Sequence, residues 1–137
     1  MAYAQWIILQ IISRLKNGTI SVKNAGLSWG KFYQPPNKDA EIDAGTVNKI
    51  TIAPKSSAEI GSCGREDASS GTEGQLDLYD GDTKICHVYW DCPWGSKNNT
   101  LQVSGVTPGG DYFVNVGSWN PNSGAIGEVT LEVGNVA

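Results

Sequence analysis

Short segments in which apolar and polar residues alternate recur along the chain, and they predict β-strands. The alternation is clear in residues 19–23, 100–103 and 128–133. Because successive side chains of a strand point to opposite faces, each segment places one face on a core and the other in water. Residues 6–12 are instead apolar almost throughout, which predicts a first strand that is buried on both faces.

Turn residues divide these segments into hairpins and loops. Asn17-Gly18 predicts a tight hairpin turn between residues 11–16 and 19–23, since both central residues of such a turn need positive φ. Asp80-Gly81 predicts a second hairpin. Other features are strand candidates at 47–52, 56–63 and 112–116, a loop at 34–38 and a polar surface loop at 64–74. Eight or nine strands at this spacing predict an all-β, mostly antiparallel sandwich in a single domain over residues 1–137.

Composition narrows the classes of function. The formal net charge of −4 and the lack of a polybasic cluster disfavour nucleic acid and general adhesion to anionic lipid. Residues 6–12 are too short for a membrane-spanning helix and lack the flanks of a classical signal peptide. One histidine and no CxxC motif disfavour a zinc site. The cysteines leave two alternatives open, a Cys63–Cys92 disulfide or three reduced buried thiols including Cys86.

The sequence gives little support for a catalytic function. His87 follows Cys86 in a predicted strand, so the two side chains point to opposite faces. Glu66, Asp67 and Glu73 fit a glycosidase only if two of them flank a substrate, whereas acids beside Gly and Ser are usually turn formers. We therefore expect a protein without enzymatic activity.

Two tryptophans have the setting of ligand-contacting loop tips. Trp94 lies between Pro93 and Gly95, whereas Trp90, four residues earlier, ends a predicted strand and is expected in the core. Trp29 is also followed by a glycine and then by Lys31. A large aromatic beside a cation on a stiff loop is typical of interfacial sites.

Four segments together resemble the aegerolysin family, in particular its fungal ostreolysin- and pleurotolysin A-like members. They are Ser28-Trp29-Gly30-Lys31, Ser62-Cys63-Gly64-Arg65, residues 67–74 and residues 89–97, and residues 1–6 and 123–127 fit as well. The resemblance covers essentially the whole chain. It implies an actinoporin-like β-sandwich that recognises sphingomyelin with cholesterol, or ceramide phosphoethanolamine. It also implies a larger partner with a membrane-attack-complex/perforin (MACPF) domain, self-association on membranes, and peripheral binding outside cells after release from the cytoplasm without a classical signal.

Physical reasoning agrees with the resemblance and assigns residues to headgroup binding. Tryptophan faces attract the headgroup ammonium, and Lys31, Lys97 or backbone N–H groups meet the phosphate. Ostreolysin-like members carry a lipid-selecting glutamate where this chain has Ser70, and Glu73 follows three residues later. The residues expected to bind lipid are Trp6, Trp29, Lys31, Ser70, Glu73, Trp94 and Lys97. The alternative function is a carbohydrate-binding module or lectin, because exposed tryptophans also stack on sugars.

Overall fold

Two packed β-sheets form the body of the computed structural model, which describes residues 2–136. Met1 and Ala137, the outermost residues of the predicted domain, lie outside the described residues. The described strands are β1 (Trp6–Arg14), β2 (Ile20–Trp29), β3 (Lys31–Gln34), β4 (Asn37–Ile42), β5 (Thr51–Ile52), β6 (Ser57–Cys63), β7 (Thr72–Asp80), β8 (Thr83–Cys92), β9 (Thr100–Ser104), β10 (Tyr112–Val116) and β11 (Gly127–Asn135). A six-stranded sheet has the order β10-β11-β1-β6-β3-β4, and a five-stranded sheet has the order β5-β2-β7-β8-β9. The predicted all-β, mostly antiparallel sandwich is confirmed.

Alternating side chains from both sheets fill the core. In β1, Ile7, Leu9 and Ile11 are buried, whereas Ile8 and the other residues between them are only half-buried. The prediction that this strand is buried on both faces is therefore wrong, because one face of the six-stranded sheet is partly open to water. Trp90 is 1% exposed and belongs to the core, as predicted.

The Asn17-Gly18 turn does not form the predicted hairpin. Gly18 has φ +83°, but the strands on either side belong to different sheets, so the turn carries the chain from one layer to the other. The hairpin at Asp80-Gly81, in contrast, forms as predicted between β7 and β8.

Residues 47–52 also differ from the predicted single strand. They contain the end of a short helix, α1 (Ala44–Val47), and then the two-residue β5. Asp43 caps this helix by accepting a hydrogen bond from the Thr46 backbone N–H at 2.7 Å. This capping hydrogen bond favours a helical turn over a strand here. The pattern of apolar residues, on which the prediction was based, does not indicate the cap.

Two predicted loops are shorter than expected. Only Pro35 and Pro36 form the turn between β3 and β4, because the flanking residues pair in a hairpin. The polar loop covers residues 64–71, since β7 begins at Thr72.

The loops at residues 64–71 and 93–99 meet Gly30 at one end of the sandwich, which we call the site end. Strand connectivity fixes this arrangement, since residues 64–71 join the end of β6 to the start of β7 and Gly30 joins β2 to β3. Of the helices between residues 2 and 136, none combines the length and the apolar character required to cross a bilayer.

Candidate functional site

A cleft of about 400 Å³ opens at the site end, and we call it the tryptophan cleft. Its walls come from the ends of β2, β7 and β8 and from the loops 64–71 and 93–99. Five of the seven predicted lipid-binding residues line it, namely Trp29, Ser70, Glu73, Trp94 and Lys97. The remaining lining residues are Ser69, Gly71, Thr72, Asp91, Pro93 and Asn98.

Strand register places the central side chains of this cleft side by side. Trp29 in β2 lies opposite Glu73 in β7, and Glu73 lies opposite Asp91 in β8. A register shift between Leu27 and Trp29 inserts Ser28 as an extra residue. Two residues apart in a regular strand, Leu27 and Trp29 would point to the same face, so this bulge turns Trp29 toward the cleft.

The two facing carboxylates have different surroundings. Glu73 accepts a short hydrogen bond from the Tyr89 hydroxyl, and this bond raises the pKa of Tyr89 to about 12. The pKa of Asp91 is also raised, first because the cleft removes the carboxyl group from water and then because Glu73 repels its charge. Lys97 is the nearby cation that opposes this shift. The pair thus gives the cleft negative charge that an incoming cation can compensate.

Both tryptophans of the cleft remain open to solvent. Trp29 is 59% exposed and Trp94 is 44% exposed, and they belong to the few large apolar side chains that the described residues leave exposed. Gly95, with φ +91°, reverses the chain directly after Trp94. A single exposed Leu or Val is ordinary on a protein surface, but two indoles on one cleft mark a binding surface.

Buried hydrogen bonds fix the floor of the cleft. Trp90 Nε1 donates to Thr72 Oγ1 at 3.1 Å, and that hydroxyl is 2.6 Å from Ser62 Oγ. Ser62 Oγ in turn donates to the Lys31 backbone carbonyl at 2.9 Å. Gly71 packs so closely on the Cys92 carbonyl that no side chain fits there. Loop 64–71 is thereby held against the end of β8.

Lys31, predicted to share this site, is absent from the lining of the tryptophan cleft. It is only 8% exposed and lines a separate cleft of about 440 Å³ together with Tyr3, Arg65, Glu66 and Asp67, which we call the lysine cleft. Trp29 ends β2 in one sheet and Lys31 begins β3 in the other. The chain crosses between the sheets at Gly30, which has φ +91°. Trp29 and Lys31 therefore line different clefts.

Trp6 also lies apart from the tryptophan cleft. It is half-buried and lines a shallow groove with Ile8, Tyr33, Pro36 and Lys38. Lys38 Nζ lies 5.2 Å from the centre of the Trp6 ring, a cation–π contact. This groove lies on the outer face of the six-stranded sheet, beside the lysine cleft.

The cysteines are three free, buried thiols, and the structure has no bond between Cys63 and Cys92. Of the two alternatives left open by the sequence, this is the one with three reduced thiols. His87 Nδ1 lies 2.6 Å from Asp77 Oδ1 on the outer face of the five-stranded sheet, and Cys86 points into the core. Among the described residues, no group of three or more metal-binding side chains comes together.

Asp91 was missed as a site residue by sequence reasoning. It lies within residues 89–97, where the tryptophans drew attention, but its opposition to Glu73 depends on the register between β7 and β8. Counting residues outward from the turn does not identify this pair, because a register shift between Leu78 and Tyr79 moves Asp91, in place of Trp90, opposite Glu73.

The fold and the site together define an antiparallel-rich β-sandwich with exposed tryptophans and facing carboxylates in a cleft at one end. A model of the family described as Aegerolysin matches residues 4–136, and the chain belongs to the aegerolysin family. It is 51% identical to Asp-hemolysin of Aspergillus fumigatus over 133 residues, which are 97% of this chain and 94% of that protein. It is 42% identical to Ostreolysin A6 of Pleurotus ostreatus, over 96% of each chain.

A solved structure shares the fold as well as the sequence. The chain superimposes on RahU, crystallised in complex with a Tris molecule, with a TM-score of 0.91 and 43% identity. The match covers 99% of this chain and 98% of RahU.

Proposed function

We propose that this protein binds membranes by recognising sphingolipid headgroups, either sphingomyelin with cholesterol or ceramide phosphoethanolamine. It has no enzymatic activity of its own. It acts as the docking subunit of a two-component pore-forming cytolysin, on which a larger protein with a MACPF domain assembles. The observation that carries the proposal is the tryptophan cleft, in which two exposed indole rings lie beside two facing carboxylates and a lysine.

The cationic part of the headgroup fits the acidic wall of the cleft. Glu73 and Asp91 repel each other across the strand pair, so an ammonium group between them relieves a cost that is already present in the free protein. Trp29 and Trp94 offer aromatic faces, which attract alkylated ammonium groups most strongly once they leave water.

The phosphate of the headgroup fits the other wall. Lys97 is exposed beside Trp94, and Ser69 and Ser70 line the cleft from loop 64–71. Ammonium and hydroxyl groups are both donors to phosphate oxygens. The resemblance matches Ser70 with the lipid-selecting glutamate of ostreolysin-like members, and Ser70 and Glu73 both line this cleft.

Exposed tryptophans also suit the membrane interface, where indole rings settle at the level of the headgroups. The net charge of −4 is no obstacle to this mode of binding, because a zwitterionic lipid does not require a basic protein surface. A relative carrying the name hemolysin supports an action on cell membranes. We expect the protein to act outside the producing cell, bound peripherally to target membranes.

Vesicle pelleting tests the proposal. Vesicles of phosphatidylcholine alone are compared with vesicles that contain sphingomyelin and cholesterol, or ceramide phosphoethanolamine. We expect the parent protein to pellet with at least one sphingolipid mixture and to stay in solution with phosphatidylcholine alone. Absence from both sphingolipid pellets would overturn the proposal.

Tryptophan variants assign the binding to the cleft. At 59% exposure, Trp29 leaves roughly 150 Å² of surface for contact, and covering half of it is worth about 2 kcal/mol, or roughly thirtyfold in binding. Trp29→Ala and Trp94→Ala should therefore bind at least about tenfold more weakly, with melting temperatures close to that of the parent. Val136→Ala is the control, because Val136 is 62% exposed at the opposite end of the sandwich. Parent-like binding by both tryptophan variants would remove the cleft from the proposal.

The docking role has its own test. Without a second protein, the chain should bind vesicles and release little of an enclosed dye. Strong release by this chain alone would contradict the division of labour with a MACPF partner.

A sugar-binding function is the alternative, since indole faces stack on sugar rings and carboxylates accept hydrogen bonds from sugar hydroxyls. Clear hits on a glycan array, together with failure to bind any sphingolipid vesicle, would favour that function. Turnover of a glycoside that Asp91→Asn abolishes would instead indicate a glycosidase.

A further inference from the structure

Lys31 is a buried cation without an anion in direct contact. Its side chain is more than nine-tenths buried, and Nζ donates a hydrogen bond to Tyr3 Oη at 2.6 Å and lies 4.6 Å from the Tyr3 ring centre. Within residues 2–136, no carboxylate lies within ion-pair distance of this ammonium group. Tyr3 Oη in turn donates a hydrogen bond to Asp39 Oδ1 at 2.7 Å. Burial opposes the charge of this ammonium group, but the hydrogen bond to Tyr3 helps to raise its pKa, so Lys31 stays protonated. An ammonium group has three donors, and it can therefore also bind an anionic partner.

The lysine cleft has room for that partner. It measures about 440 Å³, and Arg65 and Lys31 both line it. Arg65 is held in place by Glu41, which accepts from both terminal nitrogens at 3.0 and 3.1 Å. An oxyanion between Lys31 and Arg65 would receive charge-assisted hydrogen bonds from two cations of different shape.

The charges around the cleft are mixed, and this decides the kind of anion. Lys31, Lys38 and Arg65 are accompanied by Asp39 and Glu41, and loop 64–71 adds two further carboxylates. Those two, Glu66 and Asp67, line the cleft itself. A multiply charged free anion would be repelled by them, whereas a phosphate ester that carries its own ammonium group matches both signs of charge.

We infer that the lysine cleft is a second binding site, for a zwitterionic phosphate ester of the phosphoethanolamine or phosphocholine type. The phosphate lies between Lys31 and Arg65, and the ammonium group lies toward Asp67. The source of the ester is either a membrane lipid headgroup or a soluble molecule with the same chemistry. Sphingolipid recognition by the other cleft is not a premise of this inference.

The position of the site favours a lipid source. Loop 64–71 separates the two clefts, with residues 65–67 lining the lysine cleft and residues 69–71 lining the tryptophan cleft. Both clefts therefore belong to the site end, and one protein can contact two headgroups of the same bilayer. Simultaneous contacts multiply the strength of attachment without requiring either site to bind tightly.

Titration with soluble phosphoethanolamine, followed by amide chemical shifts in nuclear magnetic resonance spectra, tests the site. The Trp29→Ala variant is used, so that the tryptophan cleft is impaired. We expect concentration-dependent shifts at residues 65–67 and Tyr3, and weaker shifts from inorganic phosphate at the same concentration. Shifts confined to residues 69–73 and 91–98, or none at all, would overturn the inference.

Arg65→Gln in the same background should weaken phosphoethanolamine binding about fivefold to tenfold. Arg14→Gln is the matched control, since Arg14 and Glu132 form an ion pair of comparable exposure at the far end of the six-stranded sheet. Lys31→Met is a second variant that replaces the buried cation by an apolar side chain of similar length, and its melting curve shows whether it folds. Equal affinities for Arg65→Gln and Arg14→Gln would contradict the assignment.

Vesicles identify the source of the ester. With vesicles of phosphatidylcholine and phosphatidylethanolamine that contain sphingolipid, Arg65→Gln should lower the bound fraction if the ligand is a lipid headgroup. If the ester is a soluble molecule, Arg65→Gln should weaken only phosphoethanolamine binding, and vesicle pelleting should match that of Arg14→Gln.

Discussion

Replacing Asp91 by Asn is expected to stabilise the protein while weakening its binding to membranes. Asp91 lies directly opposite Glu73, and its pKa is raised by loss of water and by that neighbour. Because the carboxyl pKa is higher in the folded than in the unfolded protein, the folded state binds the proton more tightly. The protonated carboxyl group therefore favours folding at low pH, and this contribution to stability is lost as the pH rises through the pKa of the folded state. At neutral pH the charged carboxylate therefore destabilises the folded state, and an uncharged Asn removes this cost.

The geometry limits the size of the gain. Opposed residues of a strand pair have Cβ atoms about 5 Å apart, and at an effective dielectric constant of roughly 20 two like charges at that distance cost about 3 kcal/mol. The cleft is open to water, which reduces the cost to below about 1 kcal/mol. Thermal melts at pH 7 should thus show a melting temperature raised by up to about 4 °C, and melts near pH 3 should show almost no difference.

Vesicle pelleting of the same variant should show the opposite sign. Removing one of two carboxylates that face the headgroup ammonium is expected to lower binding to sphingolipid vesicles about tenfold. Asp82→Asn, the same change in the exposed turn at the far end of the sandwich, should leave both measurements unchanged. A lower melting temperature for Asp91→Asn would show that the two carboxylates do not oppose each other, and full vesicle binding would show that they do not meet the headgroup.

Two further predictions concern the floor of the cleft and the thiols. Gly71→Ala should lower the free energy of unfolding, measured by urea titration, by roughly 2 kcal/mol or more, because the added methyl group overlaps the Cys92 carbonyl. Gly26→Ala is the control: it has space for a methyl group and should lower the free energy of unfolding far less. Burial raises the pKa of Cys86 to about 12 and of Cys92 to about 11, and it also raises that of Cys63. All three thiols should be silent toward a thiol reagent in the native protein and react in denaturant, and one fast equivalent under native conditions would contradict the buried arrangement.

The elements that sequence reasoning placed correctly are those that local interactions determine. The hairpin of β7 and β8 follows from Asp80-Gly81, and the alternation in β9 and β11 follows from their two-sided surroundings. Asn17-Gly18 has the same local chemistry, yet the partners of β1 are β6 and the distant β11, with Ile7 opposite Gly127. A turn sequence constrains the bend of the chain, but the pairing of a strand depends on contacts that are remote in sequence.

The candidate site shows the same division. Trp29 and Trp94 were identified from residue type and neighbours and Glu73 from the resemblance, and all three line one cleft. Lys31 was grouped with Trp29 because they are close in sequence, although the two residues belong to different sheets. Asp91 was overlooked because its partner across the strands cannot be seen without the register.

Several features that cost stability lie at the site end. They include two exposed indoles, a pair of opposed carboxylates, a bulge that turns Trp29 outward, and a buried lysine without a contacting anion. The opposite end contains ordinary stabilising contacts, such as the Tyr112 hydroxyl donating to Asp80 at 2.7 Å. A natural sequence retains such local costs where binding compensates for them.

This distribution has a measurable consequence. A ligand that compensates the opposed carboxylates should stabilise the folded state in proportion to the logarithm of its concentration above the dissociation constant. Phosphoethanolamine should therefore raise the melting temperature of the parent more than that of Asp91→Asn, because the variant no longer carries the repulsion that the ligand relieves. Equal rises in the two proteins would mean that the ligand gains nothing from the carboxylate pair, and the costs at the site end would then require another explanation.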